Sequence, residues 1–478
     1  MKGDGGILLM LVLAGGCCCG LRPVHAQPQE PPPGAPGVWH RGTFLGYVPA
    51  HLKSQARTAR PQMKPSGITV APSTSISKVK PAAASATYVE PPQNELPVVA
   101  EPEVAEFVEV PSSEPLMCAA GSACCNPAWI WGRAEYLLWW TEGMEVPALA
   151  TTSPDGTAWD QAGMLDVAGT EVLFGRAGIN DEVRSGGRFT LGMWCDPCRY
   201  QGFHVTYLGL GEKTESFSAD DRTASIVARP FFNTESDAQD ARLIVFPDVV
   251  EGDLSVQAST EFQTLELVLQ TAAVRVCGVD VDCLLGYRYA DLKDLLRVEE
   301  RTLSLETATL GSRIQLWDQF DTQNDFHGAQ FGFAWRWHPD PCWSWEALAK
   351  LALGNVRSQA VVAGATTTAT GDGQTTETQG GLLTQGSNIG SYSRSHFGAL
   401  SECGLTLRRQ LSCNLAASFG YTLILWSEVV RAGDQIDMRI NTSQIPPGEL
   451  AGNPLPAFPM ADTRFWAQGL HFGLDWRY

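Results

Sequence analysis

FWAQGLHFGLDWRY, residues Phe465–Tyr478, closes the chain. Counting back from the end, Tyr478, Trp476, Leu474, Phe472 and Leu470 take every second position; Gln468 interrupts the row and Trp466 resumes it. Arg477, Asp475, Gly473, His471, Gly469 and Ala467 fall between them, charged or small. A two-residue period is that of a β-strand, whose successive side chains point to opposite faces. Chain ends normally fray, so a patterned strand running to the last residue predicts an anchored end.

The same alternation recurs upstream. Ile130, Ala134, Tyr136, Leu138 and Trp140 oppose Arg133 and Glu135; Phe189, Leu191 and Met193 oppose Arg188 and Thr190; Phe203, Val205 and Tyr207 oppose His204 and Thr206. FQTLELVLQ (262–270) and LLGYRY (284–289) follow. Phe331, Phe333, Trp335 and Trp337 oppose Gln330 and Arg336; Trp345, Ala347, Ala349, Leu351 and Leu353 oppose Glu346 and Lys350. Phe397, Leu405 and Leu407 oppose Glu402, Thr406 and Arg408; Leu415, Phe419, Tyr421, Leu423 and Leu425 oppose Asn414, Ser418 and Thr422. With the terminal stretch this makes about ten segments of the length that crosses a bilayer as a tilted strand.

The connections alternate in length. Those after the first, third, fifth, seventh and ninth segments are long, reaching to about Ser185, Thr260, Asp325, Ser393 and Arg464. CDPC, VCGVDVDC, HPDPCW and RQLSC make the short ones. Past the N-terminus no apolar stretch is long enough for a membrane helix. A membrane protein of this kind must then close its sheet, because every backbone polar group has to be paired between strands. The expected fold is an all-β, transmembrane, antiparallel up-and-down barrel of about ten strands, within a range of 8 to 12, spanning residues 128–478.

The chain has 478 residues and a formal charge of −18, which argues against nucleic acid as a partner. Lys2, the apolar run Ile7–Ala14 and V-H-A ending at Ala26 read as a signal peptide over residues 1–26, cleaved near Ala26. AGGC (Ala14–Cys17) offers an alternative, a lipoprotein carrying lipid on Cys17. Residues 27–127 hold more than half of the prolines and no apolar period, which predicts a disordered, Pro-rich periplasmic arm. Its charge is blocked. Seven bases from Arg41 to Lys80 come without an acid, then seven glutamates from Glu90 to Glu114 without a base. The basic block, residues 41–80, is the candidate contact with cell wall; a solvated linker is the plainer reading.

Thirteen cysteines are present, and removing Cys17, Cys18 and Cys19 with the signal leaves an even number. In an exported protein the close pairs Cys195 with Cys198, Cys277 with Cys283, and Cys403 with Cys413 are candidate disulfides. CDPC has zinc-like spacing but no second CxxC accompanies it, so no metal and no cofactor is expected.

Several stretches resemble a planctomycete family of outer-membrane barrels, beta-barrel porin type seven. They are RAEYLLWWTEGMEVPALATTSP (133–154), SGGRFTLGMW (185–194), ARPFFN (228–233), LLGYRYADLKDLL (284–296), DQFDTQNDFHGAQFGF (318–333) and GYTLILWSEVVRAGDQID (420–437). The resemblance implies an exported outer-membrane barrel and brings no substrate or catalytic residue. Phe472, Leu474, Trp476 and Tyr478 also resemble the C-terminal signal read by the outer-membrane assembly machinery, which with outer-membrane lipid is an expected partner.

The residues expected to face the lumen are Arg133, Glu135, Arg188, His204, Glu266, Arg288, Arg336, Glu346, Lys350, Glu402, Arg408, His471, Asp475 and Arg477. Two functions follow. One is a narrow porin passing ions or small solutes by passive diffusion along these side chains. The other is a barrel plugged by their salt bridges, structural or adhesive, whose long loops bind surface partners or whose arm contacts the wall. No nucleophile elbow or H-E-x-x-H occurs, and Asp325 beside His327 lacks a nucleophile, so no enzyme is expected. The acidic first loop and the run Thr366–Gly381 read as solvated, the latter as a flexible loop tip.

Overall fold

The computed structural model describes residues 129–446 and 448–478. The expected signal peptide, the alternative lipid site at Cys17 and the arm lie outside the described residues. Ten long strands form one ring: β1 (Ile130–Thr141), β2 (Arg184–Trp194), β3 (Gln201–Asp220), β4 (Val250–Val276), β5 (Val279–Ser304), β6 (Arg313–Trp337), β7 (Trp343–Ala369), β8 (Gly390–Ser412), β9 (Leu415–Val429) and β10 (Thr463–Arg477). Each pairs antiparallel with its neighbours in sequence, and β10 closes the ring on β1. In that closing pair Leu138 faces Leu470 and Arg133 faces Asp475. The backbones of Ile130 and Tyr478 exchange hydrogen bonds of 3.1 and 2.8 Å, so the terminal tyrosine is held in the sheet.

Around the lower half of the ring the outward face is apolar and bare. Leu191, Leu267, Leu285 and Phe333 are all more than half exposed. Trp335, Trp337, Trp343 and Trp476 mark one rim of this band, and Tyr136, Tyr207, Tyr287 and Tyr421 mark the other. This is the lipid-facing belt with aromatic borders of a membrane barrel.

Six strands outrun the belt, β3 and β8 with 20 and 23 residues and four longer ones. β4, β5, β6 and β7 have 27, 26, 25 and 27 residues, while β1 and β2 have 12 and 11. Beyond Tyr289, β5 continues with its polarity reversed. Asp291, Lys293, Arg297, Glu299 and Arg301 now face out, and Ala290, Leu292, Leu296 and Val298 face in and are buried. This corrects the long fifth loop expected from sequence: residues 305–312 make the whole connection, and β6 begins at Arg313. The strand does not stop at the edge of the belt; the solvent on its outer face changes from lipid to water. At the other end of β5, VCGVDVDC is nearly all strand, with Cys277 and Gly278 alone making the turn.

The long connections fold inward. Residues 142–183 supply Met144, Val146, Leu149 and Phe174, residues 221–249 supply Val227, Phe231 and Ile244, and residues 430–462 supply Ala432 and Ile440. These pack on Leu254, Val256, Leu296, Val298, Leu316, Phe320 and Val362, the inner face of the tall wall. A small sheet orders them, with the strands 227–233, 150–152, 171–174 and 238–245 joined by 439–440. The run Thr366–Gly381 is not the expected flexible tip, because 375–379 pairs back onto Ala365–Ala369 of β7.

None of the three expected disulfides forms. Cys195, Cys198, Cys283 and Cys403 are free thiols. Cys403 faces outward within β8 and Cys413 lies ten residues on, roughly 30 Å along a strand. Cys283 pairs in register with Thr271, several rungs above the turn that holds Cys277. Cys195 follows the last residue of β2, while Cys198 turns to the barrel mouth, and the turn between them is organised by Asp196, which accepts backbone N–H groups of Tyr200 and Gln201.

Candidate functional site: the barrel interior

Strand alternation decides what the interior holds, and it comes in tiers along the axis. At the short-turn end the lining is charged. Arg188 of β2 grips Glu135 of β1 through contacts of 2.5 and 2.9 Å. Arg288 of β5 reaches Glu402 of β8 across the lumen at 2.8 Å, and Lys350 of β7 reaches Glu266 of β4 at 2.8 Å. Gln330 also donates to Glu266, at 3.0 Å. His471 lies 3.6 Å from Glu135 and 3.1 Å from the Thr406 hydroxyl. Here three cations meet three carboxylates with almost no solvent exposure. Breaking one such pair leaves a buried charge without compensation, a loss of roughly 3–5 kcal/mol.

Nearer the mouth, Arg133 binds Asp475 at 2.5 Å and Glu346 at 3.0 Å. Arg408 shares Asp475, Arg336 joins Asp282 and Glu346, and Arg275 joins Asp282. A cavity of about 390 Å³ lies among these side chains and opens between the short turns, with Arg199, His338 and Arg477 at its rim. All fourteen residues read from the sequence as lumen-facing therefore turn inward, and most are joined in one network. His204, beside Trp131, and Arg477 stand outside its ion pairs. Sequence reasoning missed Asp280, Asp282 and Arg275, because the stretch that holds two of them was read as a turn; continuing the alternation through VDVDC would have found them.

Above the charges sits an apolar layer. Leu137, Trp139, Leu208, Leu210, Phe262, Leu292, Phe326, Val356, Leu400, Ile424, Trp426 and Phe465 point inward from nine of the ten strands, none more than 2% exposed. The rings of Phe262 and Phe465 lie 5.1 Å apart, and those of Phe326 and Trp426 5.9 Å apart, edge to face. Within it the indole N–H groups of Trp139 and Trp426 are buried without an acceptor, and the Thr264 hydroxyl is buried without a partner.

A second set of charges lies above it, outside the membrane belt, and fixes the folded-in connections. Arg229 donates to Glu300 at 2.9 Å and to Asp318 at 2.6 Å, all three completely buried. Arg242 shares Glu300. Burial alone would raise the Glu300 carboxyl, but Arg242 and Arg229 outweigh it and hold it below the ordinary range. Asp318 also accepts from the backbone of Leu383 and Thr384 at 3.0 and 2.9 Å. Gly381 permits that approach, since a Cβ there would collide with the Asp318 carboxylate. Arg431 pairs with Asp294, and Asn324 receives the Val430 N–H at 2.8 Å. Four of the quoted motifs meet in these contacts: ARPFFN brings Arg229, DQFDTQNDFHG brings Asp318 and Asn324, YADLKDLL brings Asp294, and VVRAGDQ brings Val430 and Arg431. Their shared work is to staple three connections into the mouth of the barrel.

Asp325 and His327 do share a face, the outer one. The Tyr289 hydroxyl donates to Asp325 at 3.1 Å, and Tyr287 meets His327 Nδ1 at 2.5 Å. They sit at the aromatic border of the belt.

The family model of beta barrel porin-7 (BBP7) matches residues 131–478, and the chain belongs to that family. No curated protein matches by sequence. Among solved structures, the chain is similar to the outer membrane protease OmpT from Escherichia coli (6% identity, TM-score 0.35, 74% of this chain and 98% of that one). It is also similar to a Pseudomonas aeruginosa FadL homologue (9%, 0.19, 73% and 91%). The Ralstonia pickettii toluene transporter TbuX matches with 10% identity, a TM-score of 0.17, and coverage of 73% and 90%.

Proposed function

For this member of the beta barrel porin-7 family we propose a closed, structural role: an outer-membrane barrel that does not conduct and that holds an ordered domain on its outer side. The apolar layer carries the reading. An ion entering from either end would have to shed its water among mainly apolar side chains that offer few polar atoms in return, which is the barrier that hydrophobic constrictions impose on permeation. The stapled connections above it support the same reading, since they present a fixed surface rather than mobile loops around an open mouth. A surface partner for that face, wall contact through residues 41–80, and assembly through the terminal strand belong to this proposal.

A narrow diffusion pore is the second reading, and the 390 Å³ polar cavity favours it as the lower half of a path. Conductance of the refolded protein in a planar bilayer separates the two. The closed reading expects silence from a protein that is folded by its heat-resistant migration in SDS gels. It also expects channel activity from Phe262→Ser with Phe465→Ser, which wets the layer. Discrete, ion-selective steps from the unaltered protein, altered by Arg336→Gln or Glu402→Gln, would establish the pore instead.

A further inference from the structure

Most charges around the cavity at the short-turn mouth have partners of their own. In its inner tier Arg188, Arg288 and Lys350 meet Glu135, Glu266 and Glu402. Toward the rim Arg275 lies 3.8 Å from Asp280, which also meets His338 at 3.4 Å. The acids of the short turns are engaged too. Asp196 accepts the backbone N–H groups of Tyr200 and Gln201, and Asp340 accepts those of Cys342 and Trp343. Two cations are left over. Arg199, in the turn between β2 and β3, and Arg477, at the end of β10, line the cavity and are half-buried. Neither makes an ion pair or a side-chain hydrogen bond among the described residues.

The ring sets where these two side chains start. β10 and β2 flank β1 and pair with it from either side. The backbones that carry the two arginines therefore stand roughly 10 to 15 Å apart, two to three interstrand spacings. Both long side chains reach into one cavity, and Arg477 stands near enough to Arg199, Arg336 and Arg408 to be repelled by them. A guanidinium with no acceptor from the protein keeps its planar fork of N–H donors, which a carboxylate matches with two parallel, charge-assisted bonds. Two such forks, converging from opposite sides of β1, suit two carboxylates carried a few bonds apart on one molecule. The cavity of about 390 Å³ is of a size that small ligands fill.

We propose that the short-turn mouth of the barrel binds small dicarboxylates, one carboxylate on Arg199 and the other on Arg477. The ligand replaces repulsion between neighbouring guanidinium groups with two ion pairs, in a site partly shielded from water. This does not rest on the barrel being closed. A ligand entering from the short-turn side meets the same two arginines in a plugged barrel and in a pore, and its binding is measured without flux.

Calorimetric titration of the full-length, detergent-folded protein with succinate, in a low-salt buffer free of other polyvalent anions, tests it. Saturable binding is expected. Acetate, with a single carboxylate, should bind about tenfold more weakly or less, the effect of losing one charge-assisted pair. Arg199→Gln with Arg477→Gln should weaken succinate by about tenfold or more. Arg199→Lys with Arg477→Lys, which keeps the charge and loses the fork, should fall between that variant and wild type. No saturable succinate binding by wild-type protein of heat-resistant gel mobility overturns the proposal. So does equal succinate binding by wild type and the double glutamine variant. Acetate binding as tight as succinate overturns it as well, by leaving a site for one carboxylate. If the double variant fails to fold, Arg199→Gln alone decides, because it lies in a turn outside the ladder: it should weaken succinate by about threefold or more, and unchanged binding overturns the proposal.

Discussion

Strand β5 crosses two regions under opposite rules. From Val281 to Tyr289 its outward residues are Val, Cys, Leu, Tyr and Tyr, and its inward ones include Asp282 and Arg288. From Asp291 to Arg301 its outward residues are mostly charged, and its inward ones include Leu292, Leu296 and Val298. The backbone, the period and the pairing partners do not change across the border. β6 repeats the inversion, with Phe331, Phe333 and Trp335 outward below and Gln319, Asp321 and Gln323 outward above. The lower half is an inside-out protein, apolar to lipid and ion-paired within. The upper half is a water-soluble one, with a hydrophobic core built from the wall and the connections folded against it. Side-chain alternation alone therefore does not say which face is inside; the medium on the outer face does.

The contrast can be broken at several points. The largest effect is expected at the upper staple. Arg229→Ala leaves Glu300 and Asp318 without their shared cation, a loss of about 3–5 kcal/mol of local stability. Proteolysis of residues 221–249 in the folded barrel should reveal it while the membrane half keeps its heat-resistant gel mobility. Next comes a pair of charge-introducing substitutions on one strand. Phe333→Arg, in the lipid belt of β6, should cost about 2–4 kcal/mol in urea unfolding from vesicles. Gln319→Glu, on the same face above the belt, still accepts from Arg297 directly opposite and should fall within about 0.5 kcal/mol of wild type. If the two behave alike, the border between the halves is misplaced.

Acid should loosen the upper half in a defined window. Because Arg242 and Arg229 hold Glu300 below its ordinary range, the folded upper half binds its proton less readily than the unfolded chain does. Its contribution is complete above the unfolded carboxyl value of about 4.3 and is lost as pH falls through the folded one. Protease sensitivity of the inward-folded connections should therefore rise below about pH 4.3, and in Glu300→Gln that acid-dependent rise should be weakened. The smallest effect is one of access. A charged, water-soluble maleimide should label Cys195, Cys198 and Cys342 in the short turns and spare Cys283 and Cys403, which face the belt. Labelling of Cys403 in vesicles would place that part of β8 in water.

Legibility followed the same border. In the lower half the ten segments, their faces and the inward charges were readable, because lipid imposes one sign of alternation on every strand. Arg133, Glu266 and Glu402 are hundreds of residues apart at the extremes, yet each could be assigned to the interior from its immediate neighbours. Their partners could not. Nothing local to Arg288 specifies Glu402, which reaches it from three strands away around the ring. In the upper half DLKDLLRVEER fell within the long fifth connection expected from sequence, and there most of its charges face out and most of its leucines face in, the reverse of the belt. The cysteine pairs failed for a related reason. Closeness in sequence stands for closeness in space only within a turn, and a strand carries ten residues roughly 30 Å.

By itself the sequence determined the period of the strands in the lower ring, the alternation of long and short connections apart from the fifth, and the lipid-facing side of the lower ring, because these depend only on the two-residue repeat and on the solvent that each face meets. The tertiary structure decided the rest: that the strands continue past the membrane with their polarity reversed, that Arg229 meets Glu300 and Asp318, and that Phe262, Phe326, Trp426 and Phe465 converge into one dry layer. Those outcomes depend on ring closure, which sets how far apart facing walls stand and which side chains meet across the space between them, and no segment of the chain carries that distance alone.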